Sequence, residues 1–382
     1  MAISPSPPPP TQPAIAEYPR MVPIAIVAPV SKEVLASTKR TFMTICILLA
    51  PIERAASITP GSTSLIEDST IRPINGIAAI TSGTIVADTV NTSTNTGYGI
   101  YNEEDGELQI DGGEISASCN AVMNEGKCTV NGGIIYKNPK NKYNRTFNNT
   151  GTTIMNGGRI SAQKIEAESV LNTGNFTINN GETYGIYNVT GGKLVVNGGN
   201  LNNSDIFSKQ YAIYNEENVK GDKKAIIEIT GGNLEKVYSE GQATITGGTF
   251  KYIYNVKRTT YIDDSNGRTI EGIMKITGGN VNTTGSMGIQ NVGQMSIKDF
   301  TVIINNSTDY DVNAVYNVGT LNIENTTISA YQNYYKDGSA KINGIYNSSD
   351  LTINETTINV RGYSKYTNNA HGIRNSGSNA KC

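Results

Sequence analysis

A short unit recurs along most of this chain, and a recurring unit with strand periodicity restricts the fold to a stacked coil. Its first half is Gly99-Ile-Tyr-Asn102, repeated as Gly185-Ile-Tyr-Asn188, Ala212-Ile-Tyr-Asn215, Tyr252-Ile-Tyr-Asn255, Gly288-Ile-Gln-Asn291, Ala314-Val-Tyr-Asn317, Gly344-Ile-Tyr-Asn347 and Gly372-Ile-Arg-Asn375. Its second half is an alternating strand running into paired glycines, as in Leu108-Gln-Ile-Asp-Gly-Gly-Glu-Ile115, Leu194-Val-Val-Asn-Gly-Gly-Asn-Leu201 and Lys275-Ile-Thr-Gly-Gly-Asn-Val281. Later copies, such as Leu321-Asn-Ile-Glu-Asn-Thr-Thr-Ile328, lack the glycines. Taking the residue before the turn as a marker, the interval averages about 24 residues and varies from 16 to 33.

Within each unit aliphatic and polar residues alternate at a period of two, which selects strand over helix. Ile100, Leu108, Ile110 and Ile115 therefore face inward in one turn. Burying each is worth roughly 1.5–3 kcal/mol, while ordering each residue costs about 1–2 kcal/mol. A single turn cannot stand alone, but turns stacked about 4.8 Å apart pair strand on strand and accumulate stability along an axis. The expected fold is all-β: a right-handed parallel β-helix of about a dozen turns and roughly 60 Å. Asn102, Asn188, Asn215, Asn291, Asn317 and Asn347 are expected to form a structural ladder of stacked amides at left-handed corners. A leucine-rich repeat has similar length and an Asn column, but its strand pattern differs and it needs a helix or 3₁₀ turn in each unit.

The array meets a different kind of chain near residue 60. Twelve of the 13 prolines lie at or before Pro73, no Gly precedes Gly61 and no Asn precedes Asn75. Residues 1–60 are expected to be a Pro-rich leader or tether, disordered or short-helical, and residues 61–382 the repeat domain. Ser31 is placed to cap a helix over 31–40. Lys39-Arg40 followed by the apolar run 42–50 mimics an export signal, although an apolar cap or a start codon assigned too early explains it better. No stretch reads as a transmembrane helix. A net charge of −2 with 17% charged residues supplies no attraction for nucleic acid or an acidic bilayer.

The Gly-Ile-Tyr-Asn and Ile-Thr-Gly-Gly-Thr units resemble those of right-handed parallel β-helix proteins of the pectate-lyase-like superfamily. They are most similar to repetitive Asn/Thr/Gly-rich bacterial surface adhesins and autotransporter passenger domains. The resemblance covers roughly residues 62–378 and implies an extracellular or cell-surface location. The sequence ends at Cys382 inside a further unit, which predicts a truncated product or fragment.

Enzymes on this scaffold imply recognisable motifs. The Asn-Thr-Asp, Gly-Asp-Asp, Gly-His-Gly and Arg-Ile-Lys set of polygalacturonase-like glycosidases is absent: His371 is the sole histidine, and Asp263-Asp264 the sole Asp pair. Glu103-Glu104-Asp105 and Asp263-Asp264 are expected to be solvated turns rather than calcium sites. No catalytic residue, metal or cofactor is assigned. Cys128 occupies a column held elsewhere by Leu108, Leu194 and Leu321, so it is expected to be a small buried hydrophobe.

Because the Ile of Gly-Ile-Tyr-Asn points in, its Tyr neighbour points out. Tyr101, Tyr187, Tyr214, Tyr254, Tyr316 and Tyr346 are therefore expected to form an interrupted external column that offers rings and hydrogen-bonding edges to a glycan or host protein. The competing expectation is that the rings stack to brace the sheet. Insertions at 137–147, 201–211, 305–313, 329–341 and 361–370 add Tyr334, Tyr335, Tyr363 and Tyr366 as further candidate ligand contacts on one edge of the rod. The expected function is a non-catalytic adhesin-like element. The alternatives are a polysaccharide lyase or glycoside hydrolase with an incomplete site, and a structural spacer.

Overall fold

The computed structural model describes residues 77–87, 98–137, 145–162, 169–189, 191–203, 210–217, 223–261, 267–308, 310–333, 340–362, 370–377 and 380–382, with the short strands Ile24–Ile26, Ile45–Ile47, Ala55–Ser57 and Thr63–Leu65. The helix expected over 31–40 and the charged pair Lys39-Arg40 lie outside these residues. The described residues contain no helix and wind as a right-handed parallel β-helix. Each tier has three strands. The first face carries the strand before the glycine pair, such as Glu107–Ile110, and stacks 13 strands in one sheet. The second face follows the glycines, as Glu114–Ala117, and the third is the Ile-Tyr-Asn strand, as Ile100–Asn102. These two faces share one 23-stranded sheet, because Asn233–Ser239 and Thr249–Asn255 run straight through the corner between them. Thirteen strands at about 4.8 Å make a rod of roughly 60 Å.

The register explains the core. Ile110, Val130, Met155, Ile178, Val196 and Ile229 pair tier by tier on the first face, and all are fully buried. Leu108 pairs with Cys128, whose side chain is buried and whose thiol pKa is pushed up by burial. Lys137 is a charged residue among the core-facing positions of the second face. It takes a core-facing position beside Ala117 and Ala162 with 1% exposure, and burial lowers its amine pKa to about 8.

The glycine pair is dictated by two different constraints. A Cβ on the first glycine would fall 2.4 Å from the Asp111 carbonyl oxygen at Gly132 and 2.5 Å from that of Asn131 at Gly157, so the tiers could not close. The second glycine is left-handed, with φ of 81° at Gly113 and 84° at Gly133. In the last three tiers the left-handed residue moves one place earlier, to Asp299, Asn325 and Glu355. That shift is how these tiers dispense with glycine.

All six asparagines named from the sequence stand in one internal column at the corner between the third and first faces, with Asn124, Asn149, Asn172, Asn255 and Asn375 in register. Asn102 Nδ2 donates to Asn124 Oδ1 at 2.7 Å, and the relay continues to Asn149, Asn172, Asn188 and Asn215 at 2.7–2.8 Å. After Ser239 it resumes from Asn255 through Asn291 and Asn317 to Asn347 at 2.8–2.9 Å. Except at Asn215, each donating Nδ2 also feeds a backbone carbonyl of the next tier, for example Lys127 and Thr152. The left-handed corner conformation expected of these asparagines is corrected: among the described residues, positive φ outside glycine belongs to Asp299, Asn325 and Glu355. A strand-end backbone aims the amide inward, where a left-handed one would turn it away.

Candidate functional site

The third face carries the tyrosines, and parallel pairing sets their order. Tyr187, Tyr214, Tyr238 and Tyr254 occupy four consecutive tiers. Gln290 follows, then Tyr316, Tyr346 and Arg374. Tyr101 stands apart, separated from Tyr187 by Met123, Asn148 and Leu171. Alternation puts their rings on the outer surface, while Ile100, Ile186 and Ile213 on the same strands are fully buried. Tyr214 corrects the expectation of an open column. Only 7% of it is exposed, because neighbouring rings cover it. Tyr334, Tyr335, Tyr363 and Tyr366 lie outside the described residues.

Ring geometry divides the column. Tyr214 and Tyr238 stack with centroids 4.4 Å apart and planes 5° from parallel, while Tyr187 and Tyr254 close the row at 5.4 and 5.3 Å. Tyr211 leans on both Tyr214 and Tyr238, and Tyr252 on Tyr254. Six rings thus converge on one short stretch. Farther along, Tyr346 is enclosed between Tyr316, stacked at 5.0 Å, and the Arg374 guanidinium at 5.7 Å. Stacked rings show their edges outward and hide their faces, so Tyr316 and Tyr346 brace the sheet, whereas Tyr211, Tyr252 and Tyr254 are half-buried and stand at an angle to neighbouring rings, and the Arg145 guanidinium lies over the Tyr187 ring at 5.6 Å.

The hydroxyls are tied down. Tyr238 donates to Glu240 Oε1 at 2.8 Å, Tyr252 to Gln290 Oε1, and Tyr184 to Glu182 Oε1 at 2.6 Å. Burial, then the Glu240 charge, raises the Tyr238 pKa, and burial raises that of Tyr252. The hydrogen bond to Glu125 leads the causes that push Tyr101 up to about 12. These phenols stay neutral donors at physiological pH. Glu240 is wholly buried and pairs through Oε2 with Arg258 at 2.9 Å. Arg258 also reaches Glu216 at 3.5 Å and the Glu217 carbonyl. It sits on an antiparallel hairpin, Lys257–Tyr261 with Gly267–Glu271, that follows the third-face strand Thr249–Asn255.

Sequence reasoning passed over Tyr238, which sits in Val237-Tyr-Ser239 instead of Ile-Tyr-Asn, and over Arg258, which follows the motif in a polar stretch. It also passed over a shallow groove of about 500 Å³ along the glycine corner, lined by Gly199, Gly232, Asn200, Asn233, Thr249 and Asn280. Beside it an external amide row, Asn131, Asn156, Asn179 and Asn197, is hydrogen-bonded tier to tier at 2.8–2.9 Å. Glu103, Glu104 and Asp105 form a turn closed by the Gly106 N–H donating to the Glu103 carbonyl. Among the described residues no group of three or more His, Cys, Asp or Glu could hold a metal ion, and no helix is long and apolar enough to cross a membrane. No protein-family model, curated protein or solved structure matches the chain.

Proposed function

We propose that this rod is a non-catalytic, surface-displayed or secreted binding element, and that the tyrosine patch contacts a glycan or protein ligand. One observation carries the reading: six rings, Tyr187, Tyr211, Tyr214, Tyr238, Tyr252 and Tyr254, converge on one stretch of the rod. Aromatic rings held rigid lose little entropy on binding and present apolar area beside hydrogen-bonding groups. Tyr211, Tyr252 and Tyr254 are the residues to change, since their partly open rings are the ones a ligand reaches.

The test is binding of the full chain to glycan arrays and mucin, with Y211A, Y252A and Y254A beside Y346A. Binding that falls with the first three and survives Y346A supports the reading. Binding insensitive to all four, or absent from every array and from immobilised host surface proteins, overturns it and leaves a spacer.

A further inference from the structure

The row of phenols has a chemistry that ligand contact does not use. Tyr214 and Tyr238 form the closest ring pair among the described residues, at 4.4 Å and 5° from parallel. Tyr238 donates its hydroxyl to Glu240 Oε1 at 2.8 Å. The Arg258 guanidinium lies 2.9 Å from Oε2 and holds that carboxylate in place. A phenol loses an electron readily only when its proton leaves too, and a covered phenol cannot pass that proton directly to bulk water. Glu240 supplies the missing acceptor. Tyr187 and Tyr254, in ring contact at 5.4 and 5.3 Å and less covered than Tyr214, give an oxidant an electronic route to the pair.

We propose that Tyr214 and Tyr238 are an oxidative modification site, at which a peroxide-driven one-electron oxidant joins the two rings by a carbon–carbon bond within the chain. Each ring gives up one electron and its phenolic proton. The Tyr238 proton moves to Glu240 Oε1; local opening of that buried carboxylate hands it to solvent, and the Tyr214 proton leaves by the same exit. The two phenoxyl radicals couple at carbons ortho to oxygen. Each ortho hydrogen then shifts to its own oxygen and restores the phenol. The chain loses two hydrogen atoms, and one hydrogen peroxide becomes two waters. The product bridges adjacent tiers where the internal amide ladder is interrupted at Ser239.

The molecule contains its own comparator. Tyr316 and Tyr346 also stack, at 5.0 Å and 6°, but Val318 and Ser348 stand where Glu240 follows Tyr238. They have the stack without the carboxylate.

The full chain is treated with a haem peroxidase and hydrogen peroxide, then digested with trypsin. The expected product is a monomer lighter by two hydrogens, in which the peptide running from Gln210 to Lys220 is linked to that from Val237 to Lys251. Y214F and Y238F each abolish the link, although Tyr211 shares the first peptide with Tyr214. E240Q lowers the yield several-fold at equal oxidant, and Y346F leaves it unchanged. Should E240Q fail to fold, slower cross-linking of the unaltered chain in D₂O supplies the same information about proton transfer. A link at Tyr316–Tyr346 in equal yield, a link only between chains, no link at all, or a link that persists in Y238F overturns the proposal.

Discussion

Ser239 is the break in the internal amide ladder, and repairing it should stabilise the rod. Asn215 Nδ2 donates to Ser239 Oγ at 3.0 Å, but the hydroxyl is too short to continue the relay and turns to the Gly241 carbonyl at 3.4 Å. Asn255 Oδ1, fully buried in the next tier, receives no hydrogen bond. An orphaned buried acceptor costs about 1–3 kcal/mol, and each amide hydrogen bond returns about 1 kcal/mol net. In S239N one Nδ2 hydrogen meets Asn255 Oδ1. The other meets the Ile273 carbonyl, as Asn188 Nδ2 meets that of Ile226. Ordering one more side chain offsets about 1 kcal/mol of this, leaving a gain of roughly 1–2 kcal/mol. Urea denaturation followed by circular dichroism reads it as a higher midpoint for S239N, and a lower one for S239A, which takes the acceptor from Asn215. An S239N chain with wild-type secondary structure and an unchanged or lower midpoint would refute the reasoning.

Other substitutions probe other constraints. Gly157→Ala puts a methyl 2.5 Å from the Asn131 carbonyl and is expected to cost about 2–3 kcal/mol in the same denaturation assay. Glu355, left-handed at φ 46°, carries a strain of about 1 kcal/mol that Glu355→Gly removes, giving a higher midpoint. Lys137 has its pKa lowered from 10.5 to about 8, a gap worth about 3 kcal/mol. Below pH 8 both states hold the proton and the burial cost is present in full. Between about 8 and 10.5 the unfolded chain holds a proton the folded chain has released, so stability rises with pH. Thermal melts across that window should lose this rise in Lys137→Met.

The architecture was legible because two local rules recur in every tier, an alternating aliphatic strand and a tight corner. The ladder was half legible. Asn102 and Asn188 follow Tyr and announce themselves, whereas Asn124, Asn149 and Asn172 follow Met123, Asn148 and Leu171, which obscure the motif. Their common mark is the glycine two residues on, Gly126, Gly151 and Gly174, where a Cβ would strike carbonyl oxygens of the preceding tier at 2.1–2.5 Å. The patch was less legible still. That Tyr214 is covered and Tyr346 sandwiched follows from which side chains occupy adjacent tiers, and uneven insertions hide those pairings from a linear reading. The Arg258–Glu240 pair joins an inserted hairpin to a neighbouring tier, and no periodicity announces it.

The central claim is that position along the rod counts tiers, not residues. Spin labels on the outer first face at Thr152 with Asn175, Gln242 or Thr320, in a chain whose native cysteines are replaced by serine, test it by pulsed dipolar spectroscopy. These pairs lie one, four and seven tiers apart. The expected separations grow linearly by about 4.8 Å per tier, to roughly 19 Å for Gln242 and 34 Å for Thr320. Separations that do not rise in that order, or a Thr152–Thr320 distance as short as that of adjacent tiers, would contradict the stacked coil.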